Sequence, residues 1–271
     1  MTQETRNDIP IAETRHYQIG SNRMSLKAFL RNITPKPLKA IRRNILEWRE
    51  IMLRARSVHP RHCPFCGYRG AFKYYGNPVR PDAKCPSCGS LERTRMFFDW
   101  YLANKDQIGE PILHFAPEHI LEERYRKLFT NYRTADLFVG ADLKLDIQKI
   151  DQLDNSYSTI FCNHVLEHVE DDTAAMKELL RILKPGGKLF VSVPMISGWD
   201  TTYEDASINT PELRAVHFGQ DNHLRYYGAD FPHRLAAAGF DHIETITAEG
   251  HKVVEMGLMR GEKFFIAHKA A

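Results

Sequence analysis

The chain has 271 residues, 26% charged and 43% hydrophobic, which suits one large globular domain with a smaller attachment. No apolar run approaches the roughly 20 residues needed to cross a bilayer, and residues 1–20 lack the apolar core of a secretory signal, so a cytoplasmic location is expected. Residues 1–56 carry 12 Lys and Arg against 5 Asp and Glu, whereas the remainder carries 25 against 29, so the body lacks the cationic excess that extensive phosphate contact requires.

Residues 1–22 are polar and aperiodic and are expected to form a mobile tail. Residues 23–57 are expected to form a basic helical arm: from Pro37 onward, Leu38, Ile41, Ile45, Trp48 and Met52 recur at helical spacing, with arginines elsewhere around the helix. Such a helix either docks on the rest of the protein or lies on an anionic membrane, which would place the protein peripherally at the inner membrane face. Residues 58–92 form a compact cysteine unit. Residues 93–106 are expected to be a linking helix, with Met96, Phe97, Trp100 and Tyr101 on its apolar side.

From residue 107 to 271 the pattern alternates. Strand-like runs occur at "PILHFA", "YRTADLF", "STIFCN", "KLFVSVP", "HIETIT" and "KFFIAHK", and helical runs at "EHILEERYRKLF", "DTAAMKELLRIL" and "GADFPHRLAAAGF". That alternation predicts an α/β fold, a mainly parallel sheet with helices on both faces. Cys162 falls in one of the predicted core strands.

Cys63, Cys66, Cys85 and Cys88 stand in "CPFCG" and "CPSCG", two knuckles separated by eighteen residues. Four thiolates at this spacing predict a closed structural zinc site, with iron as the lesser alternative. Gly67 and Gly89 each follow a second cysteine, where a tight turn calls for a residue that tolerates positive φ.

The loop "APE" after the first strand-like run has no glycine, although dinucleotide sites use glycines there to bring backbone N–H groups onto a pyrophosphate. S-adenosylmethionine has no phosphate, so a glycine-poor turn is a smaller loss for that ligand. Pro117 suits the first turn of a helix, and Glu118 could face the ammonium end of the ligand or merely complement the helix dipole. Asp136 closes the next strand eighteen residues on, where a carboxylate can accept both ribose hydroxyls. Asp146 with the N–H of Ile147 could read the adenine edge, or Asp146 could cap a turn.

The block "DQLDNSYSTIFCNHVLEHVEDDTAAMKELLRILKPGGKLFVSVP" resembles the centre of class I S-adenosylmethionine-dependent methyltransferases of the type 11 group. "CPFCG…CPSCGSLERTRMFFDWYL" joined to "LHFAPE" is similar to a bacterial subset with an N-terminal zinc-knuckle pair, in which an APE-type loop is the norm. The resemblance implies a Rossmann-like sheet over residues 107–271, preceded by a small zinc-ribbon-like unit and the basic helix. It also implies S-adenosylmethionine as cofactor, held by Glu118, Asp136, Asp146, Ile147 and Asn163, with Asn163 and His164 near the methionine moiety and the transfer centre.

Methyl transfer to a hydroxyl benefits from a base. In "AVHFGQDNHLRYYGADF", an extended backbone would put Asp221, His223 and Arg225 on one side, so His223 is the first candidate base, Asp221 its partner and His164 the second. His168 is expected to pack in a helix. The segment "MISGWDTTYEDASINTPELRAVHF" is expected to be a long irregular loop forming the acceptor pocket, with Trp199 and Tyr203 as walls. The acidic body and basic arm favour a small molecule, glycan or lipid-linked intermediate as acceptor. The alternatives are RNA, contacted through Arg61, Arg69, Lys73, Arg80, Lys84, Arg93 and Arg95, and a non-catalytic scaffold.

Overall fold

A computed structural model describes residues 40–41, 44–49, 59–76, 78–138 and 140–271. The chain divides into two compact units, Met1–Leu53 and Arg54–Ala271. In the first, Ala40, Ile41 and residues 44–49 are helical, and Ile41, Ile45, Leu46 and Trp48 are exposed. The expected tail and the remainder of the arm lie outside the described residues. No described helix is long and apolar enough to cross a membrane.

The second unit opens with two antiparallel pairs, β1 (Arg61–His62) with β2 (Arg69–Gly70) and β3 (Lys73–Tyr75) with β4 (Arg80–Lys84). Helix α1 (Glu92–Ala103) follows. Next come β5 (Ile112–Phe115), α2 (His119–Leu128), β6 (Tyr132–Asp136), β7 (Leu143–Lys144) and β8 (Tyr157–Asn163). Then follow α3 (Asp172–Ile182), β9 (Leu183–Ser192), β10 (Tyr203–Glu204), α4 (Pro211–Phe218) and β11 (Arg225–Tyr226). Helix α5 (Phe231–Ala237), β12 (His242–Thr247), α6 (Gly250–Met256) and β13 (Lys263–His268) complete the chain.

Seven strands form one sheet in the order β12-β13-β9-β8-β5-β6-β7. The chain lays β6 and β7 to one side of β5, then returns to pair β8 with the other side, so the order reverses between β5 and β8. Strand β13 runs antiparallel between β9 and β12, while the pairs around β5 are parallel. All four residues of β5 are buried, as expected of a central strand covered on both faces.

Each face has its own apolar core. Helices α3 and α5 contribute Ala175, Met176, Leu179, Phe231 and Leu235 to one. The other joins α1, α2 and α6 to the sheet and includes Cys63, Phe65, Phe72 and Cys85. Phe97 of α1 packs edge-on against Phe161, Phe190 and Phe264, at ring separations of 5.4 to 5.7 Å. The segment expected to link the cysteine unit to the sheet is thus a layer of the fold.

Two local expectations change. Strand β9 begins at Leu183, ahead of the expected run "KLFVSVP", so Pro185, Gly186 and Gly187 lie within its span, where its register with β8 shifts; Gly186 takes φ 72° there. The stretch expected to be irregular holds β10, which pairs with β11, and α4, whose Thr210 caps Leu213 with Pro211 in the first turn.

His114 of β5 is buried, with Nδ1 2.8 Å from the Tyr132 hydroxyl, and burial pushes its imidazole down to about 3. The unfolded value is about 6.5, so between about 3 and 6.5 only the unfolded chain takes up this proton. Stability is therefore full above pH 6.5 and falls as pH falls through that window, by up to about 1.4 kcal/mol per pH unit from this residue. His114→Phe is expected to flatten the acid limb of a stability–pH profile from urea unfolding. An unchanged slope would assign that limb to other groups.

Candidate functional site

A cavity of about 650 Å³ opens beyond the carboxyl ends of β5, β6 and β8, at the point where strand order reverses. Asp136, Asp146, Ile147, His164 and Asp221 all line it, so five of the sequence-predicted residues meet here. Asp136 closes β6. Its Oδ1 accepts the N–H of Phe138 at 2.9 Å, and Oδ2 makes no hydrogen bond among the described residues. Asp146 holds a turn by accepting the N–H of Gln148 at 2.9 Å, yet its second oxygen is likewise uncommitted among the described residues. Turn cap and ligand contact are therefore compatible.

The glycine-free loop keeps a glycine-like backbone. Ala116 sits at φ 43° and donates its N–H to Ala135 O at 2.8 Å. An alanine held left-handed costs roughly 1–2 kcal/mol, and such strain concentrates at functional sites. His164, across the cavity, is left-handed too, at φ 53°.

Two expected cofactor residues sit elsewhere. The Glu118 carboxylate does not line the cavity; it accepts from Arg93 Nε at 2.6 Å and Thr94 Oγ1 at 2.8 Å, both on α1. Its backbone is the N-cap of α2, so Pro117 precedes the helix instead of opening it. Asn163 accepts from Ser192 Oγ at 2.9 Å and lines a small void beside Arg93, Thr94 and Phe97. It faces the α1 side because strand alternation separates it from His164.

The predicted pairing of Asp221 with His223 does not occur. After α4, Gly219 at φ 77° leads the chain into a turn, so alternation fails: Asp221 is exposed on the cavity wall and His223 is buried behind it. His223 packs edge-on against His168, with ring centroids 4.7 Å apart, and burial pushes its imidazole down despite the nearby Glu167 carboxylate. His168 is not a helix-packing residue; it ends a short 3-10 turn, Leu166–His168, and lines the cavity. Arg225 does not face the acceptor. Buried, it donates to the carbonyls of Leu166, Val169 and Glu170 at 2.9, 2.6 and 2.9 Å and so clamps that turn.

A second cavity of about 480 Å³ lies on the far side of His164, which lines both. Tyr226, Arg80, Arg93, Arg260 and Lys263 also face it. Arg80 is held by Glu92 at 2.8 Å and Arg93 by Glu118, whereas Arg260 has no ion pair among the described residues. Burial pushes the Glu262 carboxyl on this wall up. Trp199 and Tyr203 pack against each other at 6.0 Å and line neither cavity; Tyr226 supplies the aromatic wall.

Sequence reasoning missed Glu167, His168 and Arg260. The first two were visible as a carboxylate and a histidine beside His164 in "HVLEHV", once that stretch is read as a turn and not as a helix.

A family model for the methyltransferase domain matches residues 85–245, more than half of the chain. The chain belongs to the methyltransferase domain family. Its members are S-adenosylmethionine-dependent enzymes, so the enzyme class and cofactor expected from the sequence stand, on a mixed α/β fold with a seven-stranded sheet. A ubiquinone biosynthesis O-methyltransferase of Xanthomonas euvesicatoria pv. vesicatoria is 38% identical over 64 residues, 22% of this chain and 27% of that enzyme. One from Xanthomonas oryzae pv. oryzae is 51% identical over 37 residues, 14% of this chain and 16% of that enzyme. The matched stretch thus spans about a quarter or less of these curated relatives.

Among solved structures, an S-adenosylmethionine-dependent methyltransferase from Mesorhizobium loti is 16% identical, with a TM-score of 0.45, covering 64% of this chain and 98% of its own. The Burkholderia thailandensis 1,6-didemethyltoxoflavin-N1-methyltransferase, with S-adenosylhomocysteine bound, is 14% identical, with a TM-score of 0.39, covering 59% and 71%.

The methyltransferase domain match begins at Cys85, so the first cysteine knuckle lies outside it. The four cysteines nevertheless converge, with all four Sγ atoms within 4.8 Å of one another and both Cys63–Cys88 and Cys66–Cys85 at 3.7 Å. Tetrahedral ligands at about 2.3 Å from zinc lie about 3.8 Å apart, so the cluster fits such an ion. The knuckles are built alike: Gly67 and Gly89, at φ 77° and 81°, donate to the Cys63 and Cys85 carbonyls at 2.8 and 3.0 Å.

Proposed function

We propose that the protein transfers a methyl group from S-adenosylmethionine in the first cavity to an anionic small molecule, glycan or lipid-linked acceptor in the second. The observation that carries this reading is His164, whose side chain borders both cavities at the end of β8. Asp136 accepts the ribose hydroxyls, and Asp146 with the Ile147 N–H meets the adenine. His164 stands where the acceptor would lose a proton. An in-line transfer needs chiefly alignment, and the two cavities provide it by meeting at one residue. Arg260 and Lys263 fit an acceptor bearing a phosphate or carboxylate.

The reading extends to two further parts of the chain. Cys63, Cys66, Cys85 and Cys88 hold a structural zinc ion; four thiolates leave no open position for catalysis. The exposed apolar residues of the arm, Ile41, Ile45 and Trp48 among them, suit contact with an anionic membrane that carries a lipid-linked acceptor. RNA is the weaker alternative. Of the seven cations that favoured it, Arg61 is bound to Asp82, Arg80 to Glu92 and Arg93 to Glu118, and Arg95 is buried.

Calorimetry with S-adenosylhomocysteine tests the cofactor site. Asp136→Ala is expected to weaken binding by about 10- to 100-fold, since a hydrogen bond to a charged group is worth about 1.5–3 kcal/mol. Undiminished affinity would move the ribose elsewhere, and absence of binding by the unaltered protein would support a scaffold. Labelled methyl transfer to lipid and small-molecule extracts, set against total RNA, then separates the acceptor classes.

A further inference from the structure

Glu167, His168 and His223 converge beside the junction of the two cavities, with one ligand atom from each lying within 4.8 Å of the others. Their hydrogen bonding is incomplete in a consistent way. His168 Nδ1 lies 3.2 Å from the Asn222 carbonyl, which assigns the proton to Nδ1 and leaves Nε2 as a bare lone pair 4.0 Å from Glu167 Oε1. His223 Nδ1 is buried without a hydrogen-bond partner. Glu167 is fully buried, yet its Oε2 has no partner either. A buried carboxylate oxygen and a buried imidazole nitrogen left bare each carry a penalty of about 1–3 kcal/mol.

A cation removes both deficits at once and engages the free His168 Nε2 as well. Histidine ligands typically use one ring nitrogen on a backbone carbonyl and present the other to the metal, which is the arrangement of His168 here. Two ligands about 2.0–2.2 Å from an ion lie at most about 4.4 Å apart. The 4.0 Å gap between His168 Nε2 and Glu167 Oε1 already fits, Oε2 stays free to join the same ion, and the widest separation closes with a movement of less than an ångström. Two imidazoles and one carboxylate form a donor set suited to a divalent transition metal with open positions. The Arg225 clamp on the Leu166–His168 turn holds two of the three residues in place without occupying their ligating atoms.

We propose that Glu167, His168 and His223 bind a divalent transition-metal ion, of the zinc or manganese class, separate from the tetrathiolate cluster. His164 is its neighbour, with Nδ1 3.2 Å from Glu167 Oε1. The ion's open positions therefore adjoin the residue common to both cavities, where they suit an acceptor presenting oxygen. The site goes beyond the methyl-transfer reading and stands or falls separately from it.

The test titrates Mn²⁺ into the purified protein and follows the free ion by electron paramagnetic resonance. Manganese favours oxygen and nitrogen over thiolate, and Zn²⁺, higher in the affinity order, should displace it. One Mn²⁺ per chain is expected, bound at least about 10- to 100-fold more weakly in His168→Gln and in Glu167→Gln. His168 is partly exposed and its variant should fold even where the buried Glu167→Gln variant does not. S-adenosylhomocysteine affinity, measured on the same samples, reports the cofactor site independently. Failure to take up Mn²⁺, with no Zn²⁺ beyond one per chain, or uptake unchanged in His168→Gln, would overturn the proposal and leave the bare atoms to a buried water.

Discussion

Replacing Cys63 with serine is expected to abolish the zinc binding proposed for the four cysteines and to melt residues 61–90. Cys63 is fully buried; its sulfur lies at ligand spacing from Cys88 Sγ, 3.7 Å away, and within hydrogen-bond reach of Ser90 Oγ at 3.2 Å. Structural zinc contributes roughly 10–16 kcal/mol of apparent binding free energy in isolated fingers. Here the knuckles share a core with Phe65, Phe72, Phe97 and Phe98, which would retain part of the structure, so a loss above about 4 kcal/mol is expected, the range typical of a missing metal. Elemental analysis and guanidinium unfolding check it. A variant that keeps one tightly bound ion and its unfolding midpoint would remove zinc from the account of this unit.

The second large effect is expected at Arg95, one turn into α1. Its guanidinium is fully buried and donates to five carbonyls: Asp82 at 3.3 Å, Ala83 at 3.0 Å and Ser90 at 2.6 Å beside the cysteines, and Met256 and Gly257 at 2.7 Å each where α6 ends. It also stacks 4.6 Å over the Phe72 ring. Burial disfavours its charge, yet no neutral side chain offers five donors in one plane. Arg95→Met preserves volume and removes all five hydrogen bonds; the Ser90 carbonyl keeps the Cys85 N–H at 3.0 Å, whereas those of Met256 and Gly257 lie where the end of a helix leaves carbonyls unpaired. The expected loss is about 4–5 kcal/mol by urea unfolding. Arg95→Lys should restore little of it, because an ammonium has three donors and no fork. A loss below about 1 kcal/mol in Arg95→Met would mean that water reaches those carbonyls.

Arg95 also shows where sequence reasoning stopped. Its charge marked it as a surface cation that could contact RNA, because a buried arginine and an exposed one look alike until their carbonyl partners, more than 160 residues away for Met256 and Gly257, are in place. By contrast, "HIETIT" matches β12 to the residue, since its β-branched Ile and Thr side chains are a local strand signal. The knuckles and the strand-tip carboxylates Asp136 and Asp146 were legible for a similar reason: spacing along a strand or turn fixes their position. Glu118 was misplaced because the partners that capture it, Arg93 and Thr94, come from a helix that had been taken for a connector. The histidine loop failed at Gly219, where one left-handed residue cancels alternation downstream.

Ala116 has a consequence for which nucleotides the fold can admit. A glycine hairpin bends around whatever it holds, whereas a methyl-bearing residue fixed at φ 43° is preset and projects a carbon from the loop that dinucleotide folds leave bare. A bridging diphosphate needs that bare peptide edge; a sulfonium-linked amino acid does not. The first turn of this sheet thus carries a methyl group where a phosphate-binding turn has none, and a sulfonium nucleoside brings no phosphate that would need the space.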